Sequence, residues 1–323
     1  MTPDLLADLP ASFDQGHLAS GDGHQLWYAQ YGRPQGMPLF WLHGGPGSAS
    51  SLRHIGLIDL ERYRLVLADQ RGCGRSLPLG TLHRNDTGLL VSDIDRLRAH
   101  LQIKRMVIGG GSWGATLALL YAAQHPARVA ALLLRAPFLA SRAEILAFFA
   151  PPLRGPADEW ADLAALAPPS ARRNLLPWLA QQLATSGRDQ CARIALGWSR
   201  HERRREVGGA ALMPQLADDA MIARYRIQAH YLLHGCFIGT DWLRAAAPRL
   251  HGLPTAILHG DADQVCPPHN ARLLHHCLPA SSLRMVGDVG HDPFHPGMVA
   301  ALTEALDCYA RKENFDGWGS RDG

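Results

Sequence analysis

Val107-Ile108-Gly109-Gly110-Gly111-Ser112-Trp113-Gly114 is the stretch on which the reading of this chain turns. The apolar run Met106 to Ile108 predicts a short buried strand, and the Ala/Leu-rich segment from Ala115 to Ala123 predicts a helix. Between them one serine sits among glycines. Gly110-x-Ser112-x-Gly114 has the spacing of a nucleophile elbow, a sharp strand-turn-helix that presents a hydroxyl at its tip. Side chains two residues either side of the serine would collide across so tight a turn, which is why glycine stands there. A serine capping a helix after a Gly-rich loop would give the same pattern, so partners elsewhere must decide.

Partners follow in a telling order. Thr255 to Leu258 reads as an apolar strand that runs into His259-Gly260-Asp261-Ala262-Asp263. Leu283 to Val286 reads as another, followed by Gly287-Asp288-Val289-Gly290-His291. Serine, acid, histidine is the chain order of α/β-hydrolases. Each residue follows a predicted strand, so Ser112, Asp263 and His291 can meet at one edge of a sheet. Serine would attack a carbonyl, histidine would carry its proton, and the aspartate would fix the imidazole tautomer. Asp261, in the same loop, and Asp288 are rival acids; His295, beside Pro296, is the rival histidine.

Such chemistry needs two N–H donors for the developing oxyanion. Trp113, next after the serine, offers one. Leu39-Phe40-Trp41-Leu42-His43-Gly44-Gly45-Pro46-Gly47 offers the other from a glycine loop after an early strand. Gly45 is the expected donor, with Gly44 as the alternative.

The wider pattern is a hairpin over residues 12–32, then strands at Pro38–Leu42, Arg64–Ala68, Arg105–Ile108 and Val129–Leu134. A helical candidate at Asp93–Leu101 separates two of them, and strand alternating with helix implies a mostly parallel sheet. The alternation stops near Pro137. Helical stretches follow at Glu144–Phe149, Ala161–Leu166, Ala171–Leu183 and Asp218–Leu233, broken by Pro151-Pro152, Pro156 and Pro168-Pro169. Strand logic resumes at Pro254. The expected architecture is α/β: a mostly parallel central sheet with helices on both faces and an inserted all-helical cap. Residues 1–137 and 251–323 would form the core and 138–250 the cap. Arg203-Arg204-Arg205 reads as a solvated helix face or turn, and Asn314 to Gly323 as a frayed tail.

Composition narrows the function. With 323 residues, 47% hydrophobic and 19% charged, the chain can bury a large core. A net charge of +3 is too small a surplus to argue for nucleic acid or anionic membranes. Six scattered cysteines with no CxxC pair support neither a metal site nor a disulfide framework. Met1 to Asp8 carries acids and no basic or long apolar segment, so no signal peptide is expected, and no apolar run is long enough to span a bilayer. The expectation is a cytoplasmic enzyme without cofactor or metal.

On these motifs the chain resembles the proline iminopeptidases, α/β-hydrolases with a helical cap. The resemblance rests on His43-Gly44-Gly45-Pro46-Gly47, Asp69-Gln70-Arg71-Gly72-Cys73-Gly74-Arg75-Ser76, Gly110-Gly111-Ser112-Trp113-Gly114-Ala115-Thr116-Leu117-Ala118-Leu119, His259-Gly260-x-x-Asp263-x-Val265-Cys266-Pro267 and Gly290-His291. It spans nearly the whole chain. It implies Asp263 as the catalytic acid over Asp261. It also implies acids that grip the substrate's free amine, one in a Trp-Ser-x-Trp-Glu segment and one in a Glu-x-His-Tyr segment. Here these read Trp198-Ser199-Arg200-His201-Glu202 and Arg226-Ile227-Gln228-Ala229-His230-Tyr231, so Glu202 matches and Gln228 replaces the second glutamate. Arg135 and Phe138, in Leu134-Arg135-Ala136-Pro137-Phe138, and Leu232, which stands where the family has an aromatic residue, complete the implied substrate site. A cysteine at 266 would lie near the active site. The function implied is an aminopeptidase releasing N-terminal proline, or a similar small residue, from short peptides. Gln228 and Leu232 keep open an esterase or amidase acting on a small non-peptide acyl compound. A non-catalytic binding protein would need a broken triad.

Overall fold

The computed structural model describes residues 9–150, 158–207 and 214–319. Eight strands make one sheet: β1 (Asp14–Ala19), β2 (Gln25–Gly32), β3 (Met37–Leu42), β4 (Tyr63–Ala68), β5 (Met106–Gly111), β6 (Val129–Arg135), β7 (Thr255–Gly260) and β8 (Ser281–Val286). Their order is β1-β2-β4-β3-β5-β6-β7-β8. The hairpin β1–β2 and the pair β2–β4 are antiparallel, and all other neighbours are parallel. β5 lies in mid-sheet, with Val107 opposite Leu39 of β3 and Ala131 of β6, and every one of its residues is buried. Burial on both faces is why it reads as a continuous small and apolar run.

The helices before the cap are α1 (Thr87–His100) and α2 (Trp113–Gln124). Between β6 and β7 lie α3 (Arg142–Phe148), α4 (Asp158–Ala165), α5 (Leu175–Thr185), α6 (Arg188–Val207), α7 (Asp219–Leu233) and α8 (Trp242–Leu250), an inserted helical cap that α8 ties to α2. α9 (His269–Cys277) and α10 (Pro296–Lys312) complete the fold. Polar side chains cap the start of several of these helices, where the first N–H groups lack partners. Asp86 accepts from Leu89 N, Asp218 accepts from Met221 N, and Ser141 with Glu144 forms a capping box on α3.

Period-2 alternation sends Phe40, Leu42, Ile108, Leu132, Leu134 and Ile257 to the face under α1 and α2. Leu39, Trp41, Val107, Ala131, Leu133 and Leu258 go to the face under α10. The carboxyl ends of β5, β7 and β8 lead into the loops that bear Ser112, Asp263 and His291.

Three expectations need correction. The segment from Asn314 is not frayed through Gly319: Phe315 and Trp318 are buried, and the Trp318 indole donates to Ala301 O at 3.1 Å. Two aromatics in a Gly-rich stretch outweigh its polar composition. Arg203–Arg205 is not wholly solvated either. It does lie on a helix, near the end of α6, but Arg205 sits over the Phe148 ring, 5.3 Å from its centroid. The helix expected from Ala171 starts at Leu175. Met1–Asp8, Pro151-Pro152, Pro156 and the last four residues lie outside the described residues.

Candidate active site

β5 ends and α2 begins at Ser112, whose φ of 56° and ψ of −121° put a non-glycine residue in a strained conformation. The flanking glycines are steric necessities. A Cβ on Gly110 would overlap the Leu42 carbonyl oxygen and lie 2.8 Å from Gly114 C. A Cβ on Gly114 would overlap the same oxygen and lie 2.9 Å from that of His43. All these obstacles are backbone, so nothing can swing aside. Ser112 N donates to Arg135 O at 2.9 Å, which pins the turn to β6.

Asp263 follows β7 and His291 follows β8. His291 Nδ1 lies 2.6 Å from Asp263 Oδ2. Asp263 Oδ1 accepts from Val265 N at 2.8 Å and Cys266 N at 2.9 Å, and His259 Nε2 lies 3.4 Å from Oδ2. Burial acts to raise this carboxyl's pKa, but His291 and His259 outweigh it and hold the group well below the usual carboxylate range. The rivals are engaged elsewhere. Asp261 is exposed and accepts from Asp288 N at 2.8 Å, while His295 caps α10. The Ser112 hydroxyl faces Cys266 Sγ at 3.7 Å and, among the described residues, makes no hydrogen bond to His291. Burial pushes the Cys266 thiol pKa well up, leaving it a small neutral neighbour.

Beside the elbow stands the glycine loop. Gly44 approaches so closely that a Cβ there would lie 3.1 Å from Gly111 O and 3.4 Å from Ser112 Cβ. Gly45 has φ +111°. The Trp113 N–H is first in α2 and has no partner within the helix. Its indole, fully buried, donates to Gln70 Oε1 at 3.1 Å and meets Tyr231 of the cap edge-on at 5.6 Å. Gln70 in turn donates Nε2–H to His43 O at 2.9 Å, and its N–H to His43 Nε2 at 2.9 Å. That bond makes Nε2 an acceptor, so Nδ1 carries the proton and donates to Gly44 O at 3.0 Å. Burial lowers the His43 pKa and favours this neutral form. Gln70 thus clamps the glycine loop to the residue after the elbow, a role that sequence reading did not assign.

These groups open onto a cavity of about 590 Å³ between core and cap. Ser112, His291, Gly44 and Gly45 line its floor. Arg135, Phe138, Glu202, Gln228 and Leu232, separated by up to 97 positions in sequence, all reach its walls.

Comparison with known proteins fits this geometry. An alpha/beta hydrolase fold family model matches residues 38–297. A probable proline iminopeptidase of Leptolyngbya boryana is 36% identical over 94% of this chain and 97% of its own length. A proline iminopeptidase of Xylella fastidiosa is 37% identical over 92% and 96%. The chain belongs to the proline iminopeptidase family. Among solved structures, an esterase from Exiguobacterium antarcticum shares the fold with a TM-score of 0.62 at 21% identity, covering 93% of this chain and all of that one. A proline iminopeptidase-related protein from Thermus thermophilus gives 0.59 at 23%, covering 92% and 98%.

The two positions that the resemblance nominates for the substrate's amine, Glu202 and Gln228, fall on the cap helices α6 and α7, and Glu202 is already occupied. Its Oε2 accepts from Arg224 Nη2 at 2.5 Å and Tyr225 Oη at 2.7 Å, and its Oε1 from Gln228 Nε2 at 2.9 Å. Sequence reading missed Arg224 and Tyr225. It also missed Glu206, Phe148 and Phe294, which line the same cavity. One signal was present: Glu206 stands four residues after Glu202 and Arg224 four before Gln228, the spacing of neighbours on one helix face. Arg135 donates Nη1–H to His291 O at 2.9 Å, so it supports the histidine loop as well as the cavity wall.

Proposed function

We propose that Ser112, Asp263 and His291 are the catalytic triad of a serine aminopeptidase that releases N-terminal proline, or a similar small residue, from short peptides. The observation that carries this is the buried 2.6 Å contact of His291 Nδ1 with Asp263, on the same cavity as a strained serine. In this reading a rotation of Ser112 about χ1 exchanges Cys266 for His291 Nε2. Ser112 Oγ then attacks the scissile carbonyl carbon while Nε2 takes its proton, and Asp263 stabilises the imidazolium. Gly45 N–H, with Gly44 as the alternative, and Trp113 N–H hold the oxyanion. Collapse expels the shortened peptide's amine, which takes the proton from His291. Water, activated by the same histidine, releases the acyl residue from the serine.

Residues 138–250 would act as the cap over core segments 1–137 and 251–323. They leave a chamber sized for one small residue and the start of a peptide, lined by Arg135, Phe138, Glu202, Gln228 and Leu232. No helix among the described residues is long and apolar enough to cross a membrane. Six free cysteines, five of them buried, support a reducing, cytoplasmic setting.

A second reading, an esterase or amidase on a small non-peptide acyl compound, draws on Gln228, Leu232 and the Glu202–Arg224 pair. One panel separates the two: kcat/KM for proline, alanine and N-acetylproline arylamides and for p-nitrophenyl esters, with Ser112→Ala as the blank. Strong preference for free-amine arylamides supports the aminopeptidase. Equal rates on free and acetylated substrates would leave the esterase.

A further inference from the structure

Resting on the aminopeptidase reading, we infer that the substrate's amino group is held by the Glu206 carboxylate together with Gln228 Oε1, and that Glu202 is a positioning residue that aims Gln228. Three donors already fill Glu202, and one of them, Arg224, cancels its charge. Because a carboxylate only accepts, it forces the Gln228 amide to turn its NH2 inward. Gln228 Oε1 is thereby aimed away from Glu202. The residue is 3% exposed and on the cavity wall, and its Oε1 has no partner among the described residues. A buried acceptor left open beside a cavity marks where a donor belongs.

The charge comes from Glu206. It lies one turn beyond Glu202 on α6 and lines the same cavity. Among the described residues its carboxylate makes no hydrogen bond. Its ion-pair neighbour is Arg203 Nη1 at 3.9 Å, on a side chain 47% exposed. Burial and the nearby Glu202 carboxylate push its pKa up, while His291, Arg224 and Arg203 act to lower it and favour the carboxylate. An N-terminal proline presents a secondary ammonium with two N–H donors. One acceptor from Gln228 and one charged acceptor from Glu206 match that number.

The test compares wild type, Glu206→Gln, Glu206→Asp and Glu202→Gln on proline arylamide, N-acetylproline arylamide and p-nitrophenyl acetate, with pyrrolidinium as a competitive inhibitor. Glu206→Gln should lower the arylamide-to-ester ratio of kcat/KM by about 10- to 100-fold, mostly through KM, the worth of one hydrogen bond to a charged group. The Ki of pyrrolidinium should rise by a like factor, and Glu206→Asp should fall between. Since Glu202 acts mainly through Gln228, Glu202→Gln should reduce the ratio alone and cost clearly less in a Gln228→Leu background, where only the freed Arg224 charge still counts. An unchanged ratio and Ki in Glu206→Gln would overturn the assignment while leaving the aminopeptidase standing. So would a loss from Glu202→Gln that is as large in the Gln228→Leu background as in the wild type. Equal wild-type rates on free and acetylated arylamides would overturn the aminopeptidase itself, and this assignment with it.

Discussion

Replacing Asp263 by asparagine should remove about four powers of ten from kcat/KM, and the structure shows why so small a change would cost so much. Asp263 Oδ1 accepts two backbone N–H groups, from Val265 and Cys266, at 2.8 and 2.9 Å. Those donors would claim the one oxygen of an asparagine. Its NH2 would then stand where Oδ2 stands, 2.6 Å from His291 Nδ1. Two donors cannot face each other there, so the imidazole must shift its proton to Nε2. With Nε2–H toward Ser112, histidine can no longer accept the serine proton. A wrong tautomer in an intact geometry costs about 10⁴ in rate, or roughly 5.5 kcal/mol of transition-state stabilisation. Asp261→Asn is the internal control, because its one clear duty, accepting from Asp288 N at 2.8 Å, is open to an asparagine oxygen as well. Both variants should be assayed on the best substrate of the arylamide panel, with thermal melts to verify folding. Losses within threefold of each other, or a larger loss at 261, would refute the reasoning.

Gly114→Ala should damage both stability and activity, because its Cβ would overlap the Leu42 carbonyl and press on that of His43. Moving this backbone shifts the glycine loop against the elbow. A displacement near 1 Å should cost roughly 10²-fold in kcat, and wild-type kcat in the folded variant would refute the close approach. Asp69→Asn should lower the melting temperature at neutral pH and lose its effect in acid. Burial acts to raise the Asp69 pKa, but hydrogen bonds and charge from Arg75 depress it. A carboxylate depressed on folding stabilises above its unfolded pKa of about 3.9, and that contribution fades as pH falls through the folded value. Asp69 is buried and Arg75 35% exposed, so the loss at pH 7 should be about 2–3 kcal/mol. A gap between wild type and variant that stays constant from pH 7 down to pH 3 would contradict this.

Much of the core was legible because its signals are local. Glycines 110 and 114 are demanded by atoms within one turn and its neighbouring strand, and a strand buried on both faces advertises itself as an unbroken apolar run. What resisted reading depends on elements far apart in sequence. No local feature tells that β4 precedes β3 in the sheet. Neither does any show that Gln70 would bridge the glycine loop and Trp113. Phe315 and Trp318 were hidden by their Gly-rich surroundings, since composition reports the average of a segment and burial depends on single side chains. In the cap, residues nominated by family motifs did reach one cavity, yet their partners came from across a helix pair that sequence spacing cannot align.

That helix pair alters the charge balance of the site. A motif that retains one glutamate and loses another suggests a site with half its charge, but a carboxylate counts only after its neighbours are counted. Arg224 neutralises Glu202, and Gln228 adds no charge, so these three together contribute none. Glu206 is the remaining acid here, and Arg203, 3.9 Å away on a side chain 47% exposed to water, offsets its charge only in part. The glutamine is also chemically tied to its setting. The amide donates to Glu202 and still turns an acceptor elsewhere; an ionised glutamate at 228 would instead face Glu202 as a like charge. Gln228 and Arg224 lie one turn apart on α7, opposite Glu202 on α6, and they work as a unit. Adding an acid at 228 would then strain this unit as well as enrich the site, so Gln228→Glu should gain less for free-amine substrates than the charge alone would bring.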